Sequence, residues 1–231
     1  MILKLTALQP YLYLLLLLLG YSCKDQCDLS DLVESTCTGA EGRTYKTVIF
    51  PDGSEWMAEN LNTGSLNSSI DSLAYCTSDS LWKLNESPHY TQYENYSPNE
   101  TAYGKLYNFK AVTAEGLCPD GFHVPSIEEW EELFECLGGP NEAGALLREA
   151  NFSFWSPVDN MTSTNESRLT FRPGGFRDEE GKFYNQRFFG YYWTSSGENE
   201  EAQMISIHYA SDAISEFQIS TKSGASVRCM R

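Results

Sequence analysis

Residues 118–130, Cys-Pro-Asp-Gly-Phe-His-Val-Pro-Ser-Ile-Glu-Glu-Trp, constrain this chain more than any other stretch. Ser126 lies three residues before Glu129 and directly after Pro125. That spacing is a capping box, in which each side chain accepts from a backbone N–H that a helix start leaves unpaired. Ile127, Trp130, Leu133, Phe134 and Leu137 then share one helical face, and Gly138-Gly139 offers a stop. So wide an apolar stripe needs a partner surface. Candidate strands supply one: 43–50, 55–61 beyond the turn at Pro51-Asp52-Gly53, then 169–172, 191–195, 203–209, 214–219 and 225–230. Residues 104–114 have helical spacing, and 141–149 read as a short helix capped by Asn141. Residues 62–103 are polar and read mostly as loop. Helices segregated from antiparallel strands predict an α+β fold.

The amino-terminal residues 1–22 read as a leader. Lys4 supplies charge, positions 14–19 are all leucine, and Gly20-Tyr21-Ser22 precede Cys23. The uninterrupted apolar run at 11–19 is too short to span a bilayer as a helix. Small residues before Cys23 resemble a lipobox and predict lipidation of that cysteine, with plain secretion after cleavage near Ser22 as the alternative. Acyl chains on Cys23 would be the only link to a membrane, at about 0.8 kcal/mol per buried methylene. Lys24-Asp25 resembles the signal that sends lipoproteins to the outer cell face, so the expected address is the outer membrane, exposed at the surface. Residues 23–41 then read as a tether and 42–231 as one domain.

Thirty-two acidic residues stand against 16 basic ones, a formal charge of −16. Such a surface repels phosphate backbones and anionic lipid, which argues against nucleic-acid binding. The seven cysteines suit an oxidising compartment. With Cys23 lipidated, Cys27, Cys37, Cys76, Cys118, Cys136 and Cys229 remain, and six cysteines allow 15 complete pairings.

Seven ordered motifs carry a family resemblance. They are Tyr45-Lys46-Thr47-Val48, the segment Trp56 to Leu61, and Tyr103-Gly104-Lys105-Leu106-Tyr107-Asn108. The 118–130 segment, Pro173-Gly174-Gly175-Phe176-Arg177, Gly190 to Ser196, and Ser226-Val227-Arg228-Cys229 follow. In this order they resemble the Fibrobacter succinogenes major paralogous domain family. That resemblance implies a surface or secreted lipoprotein domain with a C-type lectin-like fold, similar to sulfatase-modifying enzymes, and no established activity. It also points to a Cys118–Cys229 disulfide, leaving Cys27 with Cys37 and Cys76 with Cys136 by elimination. One departure matters: the family's second cysteine before Tyr-Gly-x-Leu-Tyr is missing from 93–103.

No catalytic or metal-binding constellation stands out, and no cofactor is expected. His89, His123 and His208 are isolated, and the chain has no Cys-x-x-Cys, P-loop or Gly-x-Ser-x-Gly. Sulfatase-modifying enzymes use a cysteine pair near the end of the fold, whereas Cys229 stands alone there. Tyr90, Tyr93 and Tyr96 recur every third residue in a polar stretch and are the candidate ligand contacts, if they do not simply anchor the loop. The expected function is non-enzymatic binding of a glycan or a surface protein. The alternatives are an enzyme on a sulfatase-modifying-factor-like fold and a structural component of a surface assembly.

Overall fold

The structure is a computed structural model that describes residues 27–67, 72–84, 86–159 and 161–231. Cys23 and the leader lie outside the described residues. Strands β1 (Val33–Thr38), β2 (Thr44–Ile49) and β3 (Glu55–Met57) form an antiparallel sheet in that order. The middle of the chain gives β4 (Ala74–Tyr75), helix α1 (Asp79–Leu84), β5 (His89–Thr91), α2 (Ser97–Tyr103), β6 (Leu106–Asn108) and α3 (Phe109–Val112). The main helix α4 (Ile127–Cys136) and the short α5 (Ala143–Leu147) follow. The rest supplies β7 (Phe176–Arg177), β8 (Phe183–Tyr184), β9 (Phe189–Glu198), β10 (Glu201–His208), β11 (Ile214–Ser220) and β12 (Gly224–Ala225). β9, β10 and β11 make an antiparallel meander, and the short strands join a six-stranded sheet in the order β4-β5-β6-β12-β7-β8. The architecture is α+β, with short helices among largely antiparallel sheets.

The period-2 alternation of β9 decides where the core sits. Tyr192 points into a cluster with Trp56, Trp130, Phe134, Trp155, Phe171, Ile205 and Ile207. Tyr191 and Trp193 point the other way, into a cluster with Tyr45, Met57, Tyr107, Met204 and Val227. Helix α4 enters the first cluster through its apolar face, and its capping box forms as its spacing predicts. Gly138 and Gly139 end it at φ 93° and 99°, where a side chain would be strained.

The segment 226–231 joins the sheets. The Met57 N–H donates to the Cys229 carbonyl (3.0 Å), and the Leu61 N–H to that of Val227 (2.9 Å). On its other side Met230 exchanges two backbone hydrogen bonds with His123, and Ser226 bridges Tyr192. The expected strand at 225–230 thus keeps regular strand form only at Gly224–Ala225.

Several other expectations are corrected. The described part of the tether is not a tether: β1 pairs along its whole length with β2, and Cys27 N–H donates to the Cys136 carbonyl (2.9 Å). Residues 62–103 hold two strands and two helices rather than mostly loop. The expected helix at 104–114 splits, because Tyr107 and Asn108 pair with β12 and the Asn108 side chain caps α3. α5 follows Glu142 without a side-chain cap from Asn141. The expected strand at 169–172 is reduced to one bridge between Phe171 and Arg148.

Two disulfides cross the fold. Cys118 bonds Cys229, 111 residues apart, and Cys27 bonds Cys136, 109 apart. The eliminated pairs Cys27–Cys37 and Cys76–Cys136 are therefore wrong. Cys27 lies beside the end of α4, while Cys37 faces Tyr45 across the first sheet and stays a thiol, as does Cys76. Closing loops this long contributes about 4–5 kcal/mol each in the chain-entropy account. Disulfides fit a chain that matures outside the reducing cytoplasm. Among the described residues no helix is long and apolar enough to cross a membrane.

Candidate functional site

A cleft of about 600 Å³ opens between the first sheet and the segments 100–104 and 165–172. β1 lends it Glu34, and Arg43 and Lys46 come from the start of β2 and the turn before it. The stretch after β3 adds Glu59, Asn60 and Asn62. The end of α2 brings Glu100 and Gly104. Gly104 has φ 77°, and a Cβ there would sit 2.8 Å from that of Asn60 and 2.9 Å from the Leu61 carbonyl oxygen. The Tyr-Gly-Lys-Leu-Tyr motif needs its glycine to bring this wall close.

The fourth wall is strained. Asn165, Arg168 and Thr170 have φ of 56°, 58° and 50°. The left-handed region is an outlier for a β-branched residue such as threonine. Such residues cost about 1–3 kcal/mol each and persist only where neighbours over-determine them. Here the Asn165 carboxamide oxygen accepts from the Thr170 N–H (2.8 Å), and the Arg168 N–H donates to the Asn165 carbonyl (2.8 Å). Beneath lies Arg228, fully buried, which donates to the carbonyls of Met57, Leu169 and Thr170 and to the Asn60 side chain. Its guanidinium carbon sits 4.2 Å from the centre of the Phe171 ring. Burial pulls the Arg228 pKa down to about 10, which still leaves it charged at neutral pH. Arg172 ties the loop to α2 by donating to the Ala102 carbonyl (2.8 Å), and it also pairs with Glu149.

The neutral floor is internally satisfied. Asn60 donates to the Tyr103 carbonyl and accepts from Arg228. Asn62 donates to the Glu100 carbonyl and accepts from Lys105, which also pairs with the Glu100 carboxylate. What faces the opening with capacity to spare is charged on two sides, Arg43, Lys46 and Arg168 against Glu34 and Glu59, with the hydroxyls of Ser35, Thr36 and Thr101 between them. Lys46 and Glu59 stand in the family motifs at 45–48 and 56–61, but nothing in the sequence gives any of the five charged residues a binding role. They come from four separate stretches, and only the scarcity of cations in an acidic chain could have drawn attention to Arg43, Lys46 and Arg168.

The tyrosine series does not form one surface. Tyr90, on β5, is half-buried between Tyr75 (ring centres 5.4 Å apart) and Tyr107 (6.3 Å). Tyr93 is buried against Phe183. Tyr96 alone is exposed, at 60%. Tyr93 is therefore an anchor and not an available contact: the short turn at Tyr93–Asn95 breaks the period, with Glu94 at φ 54°.

The histidines stay apart. His123 bonds Glu129 of the capping box (2.8 Å), His89 lies edge-on to Trp82, and His208 packs on Phe189. Among the described residues no cluster of three or more His, Cys, Asp or Glu is placed to hold a metal. Burial raises both free thiols, Cys37 to about 11, so neither is a thiolate nucleophile at neutral pH.

Comparison with protein families places these elements in context. The Fibrobacter succinogenes major domain profile matches residues 52–231. The chain belongs to that family. The matched span contains β3, all of the six-stranded sheet, α4, the meander and the Arg228 hub. The structure adds to this Fibrobacter succinogenes major domain the strands β1 and β2, which precede the match and supply one side of the cleft. No curated protein and no solved structure matches the chain.

Proposed function

We propose that this chain is a non-enzymatic, extracytoplasmic binding module with a C-type lectin-like fold, held to the outer membrane through lipid on Cys23 and exposed at the cell surface. Its ligand is a glycan, and the cleft over the first sheet is where it binds. One observation carries this reading: an open polar cleft whose strained wall is fixed from below by Arg228. Preorganised polar walls hold hydroxyl-rich ligands without an ordering cost on binding. The raised thiols and separated histidines support binding rather than turnover.

Screening the full chain in detergent against an oligosaccharide array tests it. Binding to at least one glycan that is lost on cleft substitution is the expected result. A folded chain that binds no glycan overturns it. Detergent partitioning tests the anchor: wild type enters the detergent phase and Cys23→Ala the aqueous phase, whereas equal aqueous recovery of both removes the lipid. A second reading, docking to a surface protein, is favoured by Leu81 and Leu84, exposed at 61% and 58% on α1.

A further inference from the structure

Half of the fourteen cations among the described residues are ion-paired. Arg148, Arg172, Arg177, Arg231, Lys83, Lys105 and Lys182 each pair with a carboxylate. Seven others, Arg43, Lys46, Lys110, Arg168, Arg187, Lys222 and Arg228, form no ion pair with a carboxylate of the described residues, and three of these, Arg43, Lys46 and Arg168, line the same cleft. In a chain of formal charge −16, three unpaired cations on one concavity make that concavity more basic than the average surface. Arg168 donates once to the Leu32 carbonyl (2.8 Å), which aims its guanidinium and leaves further donors open. It is delivered by the strained 165–170 loop, whose left-handed residues the Arg228 hub holds in place.

The occupied floor narrows the ligand. Asn60 and Asn62 have spent their amides internally, which leaves a neutral ligand the hydroxyls of Ser35, Thr36 and Thr101 as neutral donors. An anion finds guanidinium forks and an ammonium, whose charge-assisted bonds are about twice as strong as neutral ones. Glu34 and Glu59 on the same rim would repel a ligand made only of anionic groups, yet they accept well from hydroxyls. Separated carboxylates and hydroxyls on one ligand satisfy both sets.

We propose that the cleft binds a carboxylate-bearing oligosaccharide, with Arg43, Lys46 and Arg168 holding its carboxylates and Glu34 and Glu59 accepting from its hydroxyls. This rests on the glycan reading above and names the ligand class. The test is calorimetric titration of the full chain in detergent with tetragalacturonate, its methyl ester, and a neutral tetrasaccharide of glucose. Tetragalacturonate should bind at least about tenfold tighter than its ester, with affinity falling as salt rises. Lys46→Gln and Arg168→Gln should each weaken it by about fivefold or more at unchanged melting temperature. Lys46 is exposed on a paired strand, so its variant keeps the test decisive even if Arg168→Gln disturbs the loop. Equal affinity for acid and ester, or unchanged affinity in a folded Lys46→Gln, overturns this inference and leaves the glycan reading standing. Failure of all three saccharides to bind overturns this inference and counts against that reading too.

Discussion

Helix α4 and the segment 73–103 reach comparable burial by opposite routes. α4 carries its own instructions: its cap, its apolar stripe and its stop lie within fourteen residues of sequence. The segment 73–103 buries Trp82 and His89 just as deeply, at 0% and 3% exposure, but its elements are two to seven residues long. Helices this short are not stable by themselves. They are held from afar. Arg177 donates to the Cys76 and Gly181 carbonyls, pairs with Asp79, and covers the Trp82 ring at 4.4 Å. Asn108 accepts from the His89 N–H and donates to the Ser87 carbonyl. One region is written locally, and the other is assembled by side chains far from it in the chain.

The sharpest way to break this contrast is Arg177→Met. It leaves buried carbonyls without donors and should cost about 3–5 kcal/mol. Hydrogen exchange should then show amides of 73–103 losing protection while those of α4 keep theirs. Equal loss in both regions would mean that they unfold as one unit.

Acid should separate the regions by about 3 kcal/mol. Burial, helped by the charges of Arg177 and Lys110, lowers the His89 pKa from 6.5 to about 4. Between those values the unfolded chain binds a proton that the folded chain does not. Stability is therefore lost as pH falls from 6.5 towards 4 and is fully present above 6.5. Urea titrations at pH 7 and 4.5 measure the slope, and His89→Phe should flatten it. An equal slope in wild type and variant would place the acid sensitivity elsewhere. The smallest effect is local. Ser126→Ala removes the cap bond to the Glu129 N–H and should cost about 1 kcal/mol, with fraying confined to the first turn of α4. Loss of protection in 73–103 would show that the helix is less self-sufficient than its sequence suggests.

The same contrast explains what could be read from the sequence. α4 and the meander were legible because periodicity and capping are short-range signals, as with Tyr191, Tyr192 and Trp193 alternating between two cores. The strands at 74–75 and 89–91 were not, since two or three residues carry no period. Residues 104–114 misled because Leu106, Tyr107, Phe109 and Val112 suit a helix, whereas pairing with β12 outweighs that local preference. The cleft was invisible for a different reason. Its charges gain meaning only by convergence, and Arg228, which positions one wall, reads in sequence as one more charged residue near a cysteine.

The central place of residues 226–231 has a consequence for the order of events in the cell. They complete hydrogen bonding for 55–61 and for His123, segments synthesised more than a hundred residues earlier. A nascent chain that lacks them has open strand edges on both sides of the gap and Cys118 without its partner. The Cys118–Cys229 bond can close only after residue 229 has been made, so oxidation there waits on the same segment that completes the sheet.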